Sequence, residues 1–537
     1  MALGSRTFKH IAMATAMTAA SLIFVAPAAA APESAAAAPV VWGACAPADI
    51  SNVPPAEQFR FSCANYVVPL DYDRPNRGTI NLALMRRAAN DQANRIGSLF
   101  LNPGGPSGSG YRLPTIAQLI FQPPVMDRFD IIGFDPRGVR RSTPLRCFAT
   151  QEDADAVFGR MALLPITRQE ERDTLDALRD YGRFCDTFAG PLLEEMSTEN
   201  VARDLDRLRA AVGDQQLNYL GFSYGTLIGA TYVNLFPNRS RAIILDGNVD
   251  PNLRLHNGLE YDRQRTAGFE LALDAFLRTC DSVGSACAFS DGSPRAKFDE
   301  LRTYLRETGP ITLPDGSVVA IDTFTDTVAG TLYDLTALDD LAAALQGLYD
   351  VIHPPAAAAL KSQSGAQSMQ ALQRNAKQAK LDIRPDTPYT ADDSYAAVNC
   401  TDKPFRNRAG QVPSIADQWE RQMATFGRYL AWADPAICPN WPLDRRDVYD
   451  GPWNRRTPNP VLVYGNYYDP ATQYEFARRM TRQLGNARLV SADAFGHTIL
   501  GFSTCTDTIA TDYLIELRVP RPGVVCQPNI PPFPTST

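Results

Sequence analysis

Apolar positions follow two rhythms along the chain. Short apolar runs at 66–72, 80–85, 98–101, 129–134, 217–220, 242–245, 460–465 and 488–490 have the length of strands and end in turn-forming residues. Between the early runs the spacing changes to the helical one. Val201, Leu205, Leu208 and Val212 form a single stripe, and 226–236 continues in helical fashion up to Pro237. From about Pro251 to Trp453 the helical rhythm dominates: Phe269, Leu273, Phe276 and Leu277 make one face, Leu338, Leu341, Leu345 and Leu348 another. Between Pro354 and Asp393 the chain turns Ala/Gln/Ser-rich and then polar, the composition of a loosely held connection. Strand-like runs then resume. The pattern predicts an α/β protein with a mostly parallel central sheet and a large helical insertion, divided as 31–250, 251–455 and 456–537.

The first thirty residues stand outside that pattern. Arg6 and Lys9 precede an apolar stretch, and Ala28-Ala29-Ala30 offers a small-residue cleavage site. Residues 1–30 read as a secretory signal peptide cleaved near Ala30; a membrane anchor is the rival, although the apolar run is short for a span. Export places the ten cysteines in an oxidising compartment. None forms a C-x-x-C or a Cys/His cluster of zinc spacing. Sequence alone does not decide connectivity; five sequential pairs is the working expectation, Cys280 with Cys287 first because their loop is so short.

Size and charge narrow the picture. The remaining ~507 residues exceed one ordinary core. The net charge of −7 falls by two when Arg6 and Lys9 are removed, to −9. That balance argues against nucleic acid or anionic membranes as partners.

Candidate chemistry concentrates where strands end. The run at 217–220 breaks into Gly221-Phe222-Ser223-Tyr224-Gly225 and then a helix, which is G-x-S-x-G in its strand–turn–helix context. Glycines on both sides let the backbone close around a serine whose hydroxyl projects above the sheet edge. The run at 98–101 ends in Asn102-Pro103-Gly104-Gly105-Pro106-Ser107-Gly108, a loop with few side chains and backbone N–H groups open to a ligand. In an α/β hydrolase these two turns supply the oxyanion hole, here Gly105 (Gly104 as second choice) and Tyr224. Asp135 and Arg137, in a charged turn after 129–134, are read as structural.

After the insertion, one run delivers Asp469 and the next delivers Gly496-His497, giving the chain order Ser…Asp…His. Of four histidines, His10 lies in the leader, and His256 and His353 lie in the insertion. Asp246 also ends a strand between serine and histidine and remains a rival acid; Asp469 is preferred because its strand directly precedes that of the histidine. Imidazole removes the serine proton and later protonates the leaving group, while the carboxylate fixes its tautomer. The catalytic set expected is Ser223, Asp469 and His497.

Asn102–Gly110, Phe129–Gly138, Ala202-Arg203-Asp204-Leu205-Asp206, 217–226, Asp469-Pro470-Ala471-Thr472 and Gly496-His497 together resemble the secreted tripeptidyl aminopeptidases of the α/β-hydrolase superfamily. The resemblance covers nearly the whole mature chain and is weakest in the insertion. It implies an exopeptidase releasing short peptides from free N-termini, with the insertion as a cap placed before the acid-bearing strand. Ser107, Arg140, Gln473 and Thr498 depart from the family's usual Gly, Gly, Pro and Gly. Family members include carboxylesterases, so a secreted esterase or lactonase acting on small hydrophobic esters is the alternative, and an idle hydrolase-like binding protein a third. Asp402, beside Cys400, is the candidate for holding the substrate ammonium, with a solvated turn acid as the plain reading. No metal or cofactor is implied, and a monomer is expected.

Overall fold

The computed structural model describes residues 37–354, 392–443 and 446–533. The leader and most of the Ala/Gln/Ser-rich connection lie outside the described residues. In chain order the strands are β1 (Phe61–Pro69), β2 (Thr79–Arg87), β3 (Gly97–Asn102), β4 (Phe129–Phe134), β5 (Leu217–Phe222), β6 (Ser240–Asp246), the short hairpin β7 (Ile311–Thr312) and β8 (Val318–Val319), β9 (Val461–Tyr468), β10 (Ala487–Phe495) and β11 (Val525–Cys526). Nine of them form one sheet in the order β1-β2-β4-β3-β5-β6-β9-β10-β11. The pairs β1–β2 and β2–β4 are antiparallel, and every pairing from β4 to β11 is parallel. This is the α/β-hydrolase sheet.

β3 and β4 are buried along their whole length, as strands covered on both faces must be. Leu99, Leu101, Ile131, Leu220, Ile244 and Leu462 pack in one apolar cluster with Tyr513 and Leu514 of the helix Thr504–Glu516. Of the predicted stripe, Val201, Leu205 and Leu208 are buried on the helix Thr198–Ala211, and Val212 caps its end half-buried. Because β4 lies to one side of β3 and β5 to the other, the chain reverses its direction of travel across the sheet at β3/β5. Ligand sites of open parallel sheets form at the carboxyl ends of strands beside such a reversal.

Between β6 and β9 the described chain is mainly helical, from Pro251–His256 and the 26-residue helix Gly258–Val283 to Asp434–Ile437. Both predicted faces, Phe269/Leu273/Phe276/Leu277 and Leu338/Leu341/Leu345/Leu348, enter a single cluster that also takes in Ala471, from the loop after β9, and Phe495, at the end of β10. Residues Pro39–Thr537 form one compact unit. All five disulfides join each cysteine to the next: Cys45–Cys63, Cys147–Cys185, Cys280–Cys287, Cys400–Cys438 and Cys505–Cys526. No helix of the described residues is long and apolar enough to cross a membrane.

Candidate active site

β5 ends at Phe222, and Ser223 follows with φ 55°, a left-handed backbone that few side chains adopt. Its amide donates to Asp246 O at 2.9 Å, while its carbonyl accepts from Thr226 N at 2.9 Å and Thr226 Oγ1 at 2.5 Å. These bonds hold the strained turn between β6 and the helix Gly225–Leu235. The glycine loop after β3 presses against it. A Cβ at Gly104 would stand 2.4 Å from Phe222 O and 2.7 Å from Ser223 Cβ, so only glycine fits there. Gly104 N–H donates to Asn102 Oδ1 at 2.9 Å. The N–H groups of Gly105 and Tyr224 have no acceptor among the described residues. Of the two loop glycines weighed from sequence, Gly105 therefore has the open donor.

Ala494-Phe495-Gly496 brings His497 to the same place from β10. Its backbone N–H donates to Tyr333 O at 2.8 Å, and the Tyr333 ring meets the imidazole edge-on at 5.3 Å. Nδ1 lies 2.9 and 3.0 Å from the two Asp469 oxygens. Asp469 is 1 % exposed and also accepts from Ala471 N, Thr472 N and Thr472 Oγ1 at 2.8–2.9 Å. Thr472 Oγ1 is 3.2 Å from His497 Nδ1, so one hydroxyl touches both members of the pair. A carboxylate so bound fixes Nδ1 as the donor and leaves Nε2 as a base. Nε2 is buried and has no hydrogen-bond partner among the described residues.

Asp246 has another partner. Its Oδ2 accepts from Ile499 N at 2.9 Å and Leu500 N at 3.0 Å, so it holds the loop just beyond His497 rather than the ring. Burial raises its carboxyl to about 6 against those two hydrogen bonds, and its Oδ1 is unmatched among the described residues. Asp135, buried, accepts from Ser109 Oγ, Tyr111 N and Arg141 N. Arg137, fully buried, forks onto Asp204 at 2.7 and 2.8 Å. Both are structural, although Arg137 reaches across to the helix Thr198–Ala211 rather than to its own turn.

Ser223, Gly105, Tyr224 and His497 line a cavity of about 410 Å³. Its opposite wall comes from the helical segment: Arg254, Tyr261, Asp262, Arg265, Tyr333 and Tyr395, with Asn399, Lys403 and Asp434. Lys403 Nζ bonds both oxygens of Asp262 at 2.9 Å and also Asp434 Oδ2. Burial pushes the Asp262 carboxyl up, opposed by the Lys403 ammonium. Asp434 Oδ1 has no partner among the described residues. Asp402 is absent from the lining. Fully buried, it accepts from Thr198 N at 3.1 Å and Thr198 Oγ1 at 2.5 Å, and that hydroxyl lies 2.5 Å from Tyr224 Oη. It braces Tyr224 from behind.

Three of the residues departing from glycine, Ser107 (φ 82°), Arg140 (φ 38°) and Thr498 (φ 73°), keep a left-handed backbone. A glycine would adopt that conformation without strain, which is the physical reason for its use there. Arg254, Arg265, Lys403 and Thr472 carry no motif. Only Thr472 had a local signal, the Asp-x-x-Thr spacing in which an aspartate accepts from the backbone two and three residues on.

Residues 422–526 match the family model described as TAP-like protein. A tripeptidyl aminopeptidase of Streptomyces lividans is 30 % identical over 523 residues, covering 93 % of this chain and 89 % of that one. A serine protease of Mycobacterium tuberculosis is 30 % identical over 489 residues, 86 % of this chain and 87 % of its own. Carboxylesterase B of the same organism is 31 % identical over 521 residues, 91 % of each chain.

Proposed function

The chain belongs to the TAP-like family of α/β-hydrolase serine hydrolases, and from that premise we propose a secreted exopeptidase that releases tripeptides or similar short units from free peptide N-termini. The observation that carries the reading is the bare Nε2 of an Asp469-anchored His497 facing the cavity that Ser223 also lines. Nε2 takes the Ser223 proton as Oγ attacks the scissile carbonyl. The oxyanion is met by the N–H groups of Gly105 and Tyr224, and Asp469 steadies the imidazolium. Collapse expels the amine with the proton from Nε2. Water, deprotonated by the same nitrogen, then hydrolyses the Ser223 ester and restores the enzyme.

The helical segment 251–455 acts as the cap. In it, Asp434 Oδ1 is the open acceptor for a substrate ammonium, with Asp262 and Lys403 holding its carboxylate in place. Asp402 serves behind the wall as a positioning group for Tyr224. Residues 1–30 direct export, and the mature protein acts as a monomer.

Hydrolysis of a tripeptide p-nitroanilide with a free amine, against its N-acetylated twin, tests the reading. Cleavage of the free-amine compound alone, abolished in Ser223→Ala and with a raised KM in Asp434→Asn, is the expected result. A carboxylesterase is the second reading, favoured by the relative of that name at similar identity and coverage. Turnover of p-nitrophenyl esters with both peptides untouched would select it.

A further inference from the structure

Two arginines in the cavity wall, Arg254 buried and Arg265 half-buried, have no direct carboxylate partner among the described residues. Arg254, 4 % exposed, donates to Asn399 Oδ1 at 2.5 Å, and its Nε has no partner among the described residues. Its guanidinium is fixed 5.7 Å from the Tyr224 ring and 5.4 Å from the Tyr261 ring. Arg265 lies 5.6 Å from the Phe269 ring and donates to Tyr333 Oη at 3.3 Å. Neither forms an ion pair with a described carboxylate. The two acids of the wall, Asp262 and Asp434, are both engaged by Lys403. The lining thus carries three cations and two anions.

A guanidinium held out of bulk water needs acceptors, and its planar fork matches a carboxylate in two parallel hydrogen bonds. Placement gives the two residues different reach. Arg254 stands against Tyr224, beside the oxyanion hole. Arg265 stands behind Tyr333, which packs on the imidazole that protonates the leaving group. We infer that Arg254 and Arg265 form a carboxylate-binding subsite, so that substrates with an acidic group close to the scissile bond are preferred over neutral isosteres. The carboxylate comes either from an acidic side chain in the acyl portion, opposite Arg254, or from the leaving portion, opposite Arg265. The inference rests on the serine-hydrolase reading of this cavity and holds for peptides and esters alike.

Paired substrates separate the sources. On the acyl side, Ala-Ala-Glu, Ala-Glu-Ala and Glu-Ala-Ala p-nitroanilides are compared with their Gln counterparts. On the leaving side, penta-alanine as free acid is compared with its amide. The p-nitrophenyl half-ester of adipic acid, against its methyl diester, asks the question without a peptide bond. At least one pair is expected to differ by about tenfold or more in kcat/KM. The preference falls to near unity in Arg254→Gln for an acyl-side carboxylate, or in Arg265→Gln for a leaving-side one, and is only partly restored by Lys. Melting temperatures and circular dichroism establish that the variants are folded. Equal turnover of every pair by the unaltered enzyme overturns the subsite while leaving the peptidase reading intact. Discrimination among esters with all peptides uncleaved upholds the subsite and removes the peptidase reading. Calorimetric binding of glutarate covers the case of no turnover: binding lost in either Gln variant upholds the subsite, and no binding overturns it.

Discussion

Two aspartates approach the His497 loop, and a pair of substitutions separates what they do. Asp469 holds the ring; Asp246 holds the backbone two residues further on. Asp469→Asn is expected to lower kcat by about 10⁴-fold with the fold intact, because an amide favours the wrong tautomer. Asp246→Asn keeps an acceptor for Ile499 N and is expected to lower kcat by about tenfold at most. The two differ in pH behaviour as well. With its folded value raised from 3.8 to about 6 by burial, Asp246 keeps its proton in the folded state where the unfolded chain has lost it. Its contribution therefore makes stability fall as pH rises from about 4 to 6, by about 3 kcal/mol at most, and level off above. Denaturant titrations across that range should show the slope in the native enzyme and its loss in Asp246→Asn. At this scale Ser223, Asp469 and His497 were legible because each follows a strand in a recognisable turn. Arg254, Arg265, Lys403, Asp262 and Asp434 were not. They come from three separate helices and one loop position, and only tertiary packing makes them neighbours.

The strands were readable as elements wherever apolar runs were buried on both faces, as for β3, β4 and β5. β1 begins at Phe61, earlier than the run starting at 66, because its first half is only partly buried and carries polar residues. The two-residue strands β7, β8 and β11 are too short to leave a periodic trace; β11 is anchored instead by Cys505–Cys526. Among helices of the insertion, Gly258–Val283 packs on the loop that bears Asp469. A Cβ at Gly268 would sit 2.9 Å from Pro470 O and 3.1 Å from Gln473 Cβ. Gly268→Leu should push this helix off the loop that bears Asp469, destabilising the protein by about 1–3 kcal/mol. Its signature is a drop in kcat for peptide and ester substrates together, since the acid rather than a binding group is displaced. The disulfide Cys400–Cys438 ties the helix Asp393–Asp402 to the stretch around Asp434. Replacing both cysteines with Ser should cost about 3–4 kcal/mol by loop entropy. It should also raise KM more than it lowers kcat, because the cavity wall loosens while Ser223 and His497 stay on the sheet.

Across the whole molecule, Ser223 precedes the helical segment and Asp469 and His497 follow it, so the proposed catalytic set closes only when both halves of the sheet have met. The parallel pairing of β6 with β9 is that meeting. The run of helices between β6 and β9 was legible from the change of rhythm alone. The merging of the helical cluster with Ala471 and Phe495 was not, since single apolar residues in a loop and at a strand end announce nothing about their neighbours.

The cysteine connectivity carries a consequence for biogenesis. No loop encloses another's cysteine: the first pair is complete before the third cysteine appears, and so on to the end of the chain. A polypeptide threaded amino end first into an oxidising space would offer each thiol its native partner as the next to arrive. An oxidase joining thiols in order of emergence thus makes the native set with nothing to reshuffle. Yields of active enzyme from a host deprived of its disulfide isomerase should match those from the parent strain, whereas loss of the oxidase should abolish them.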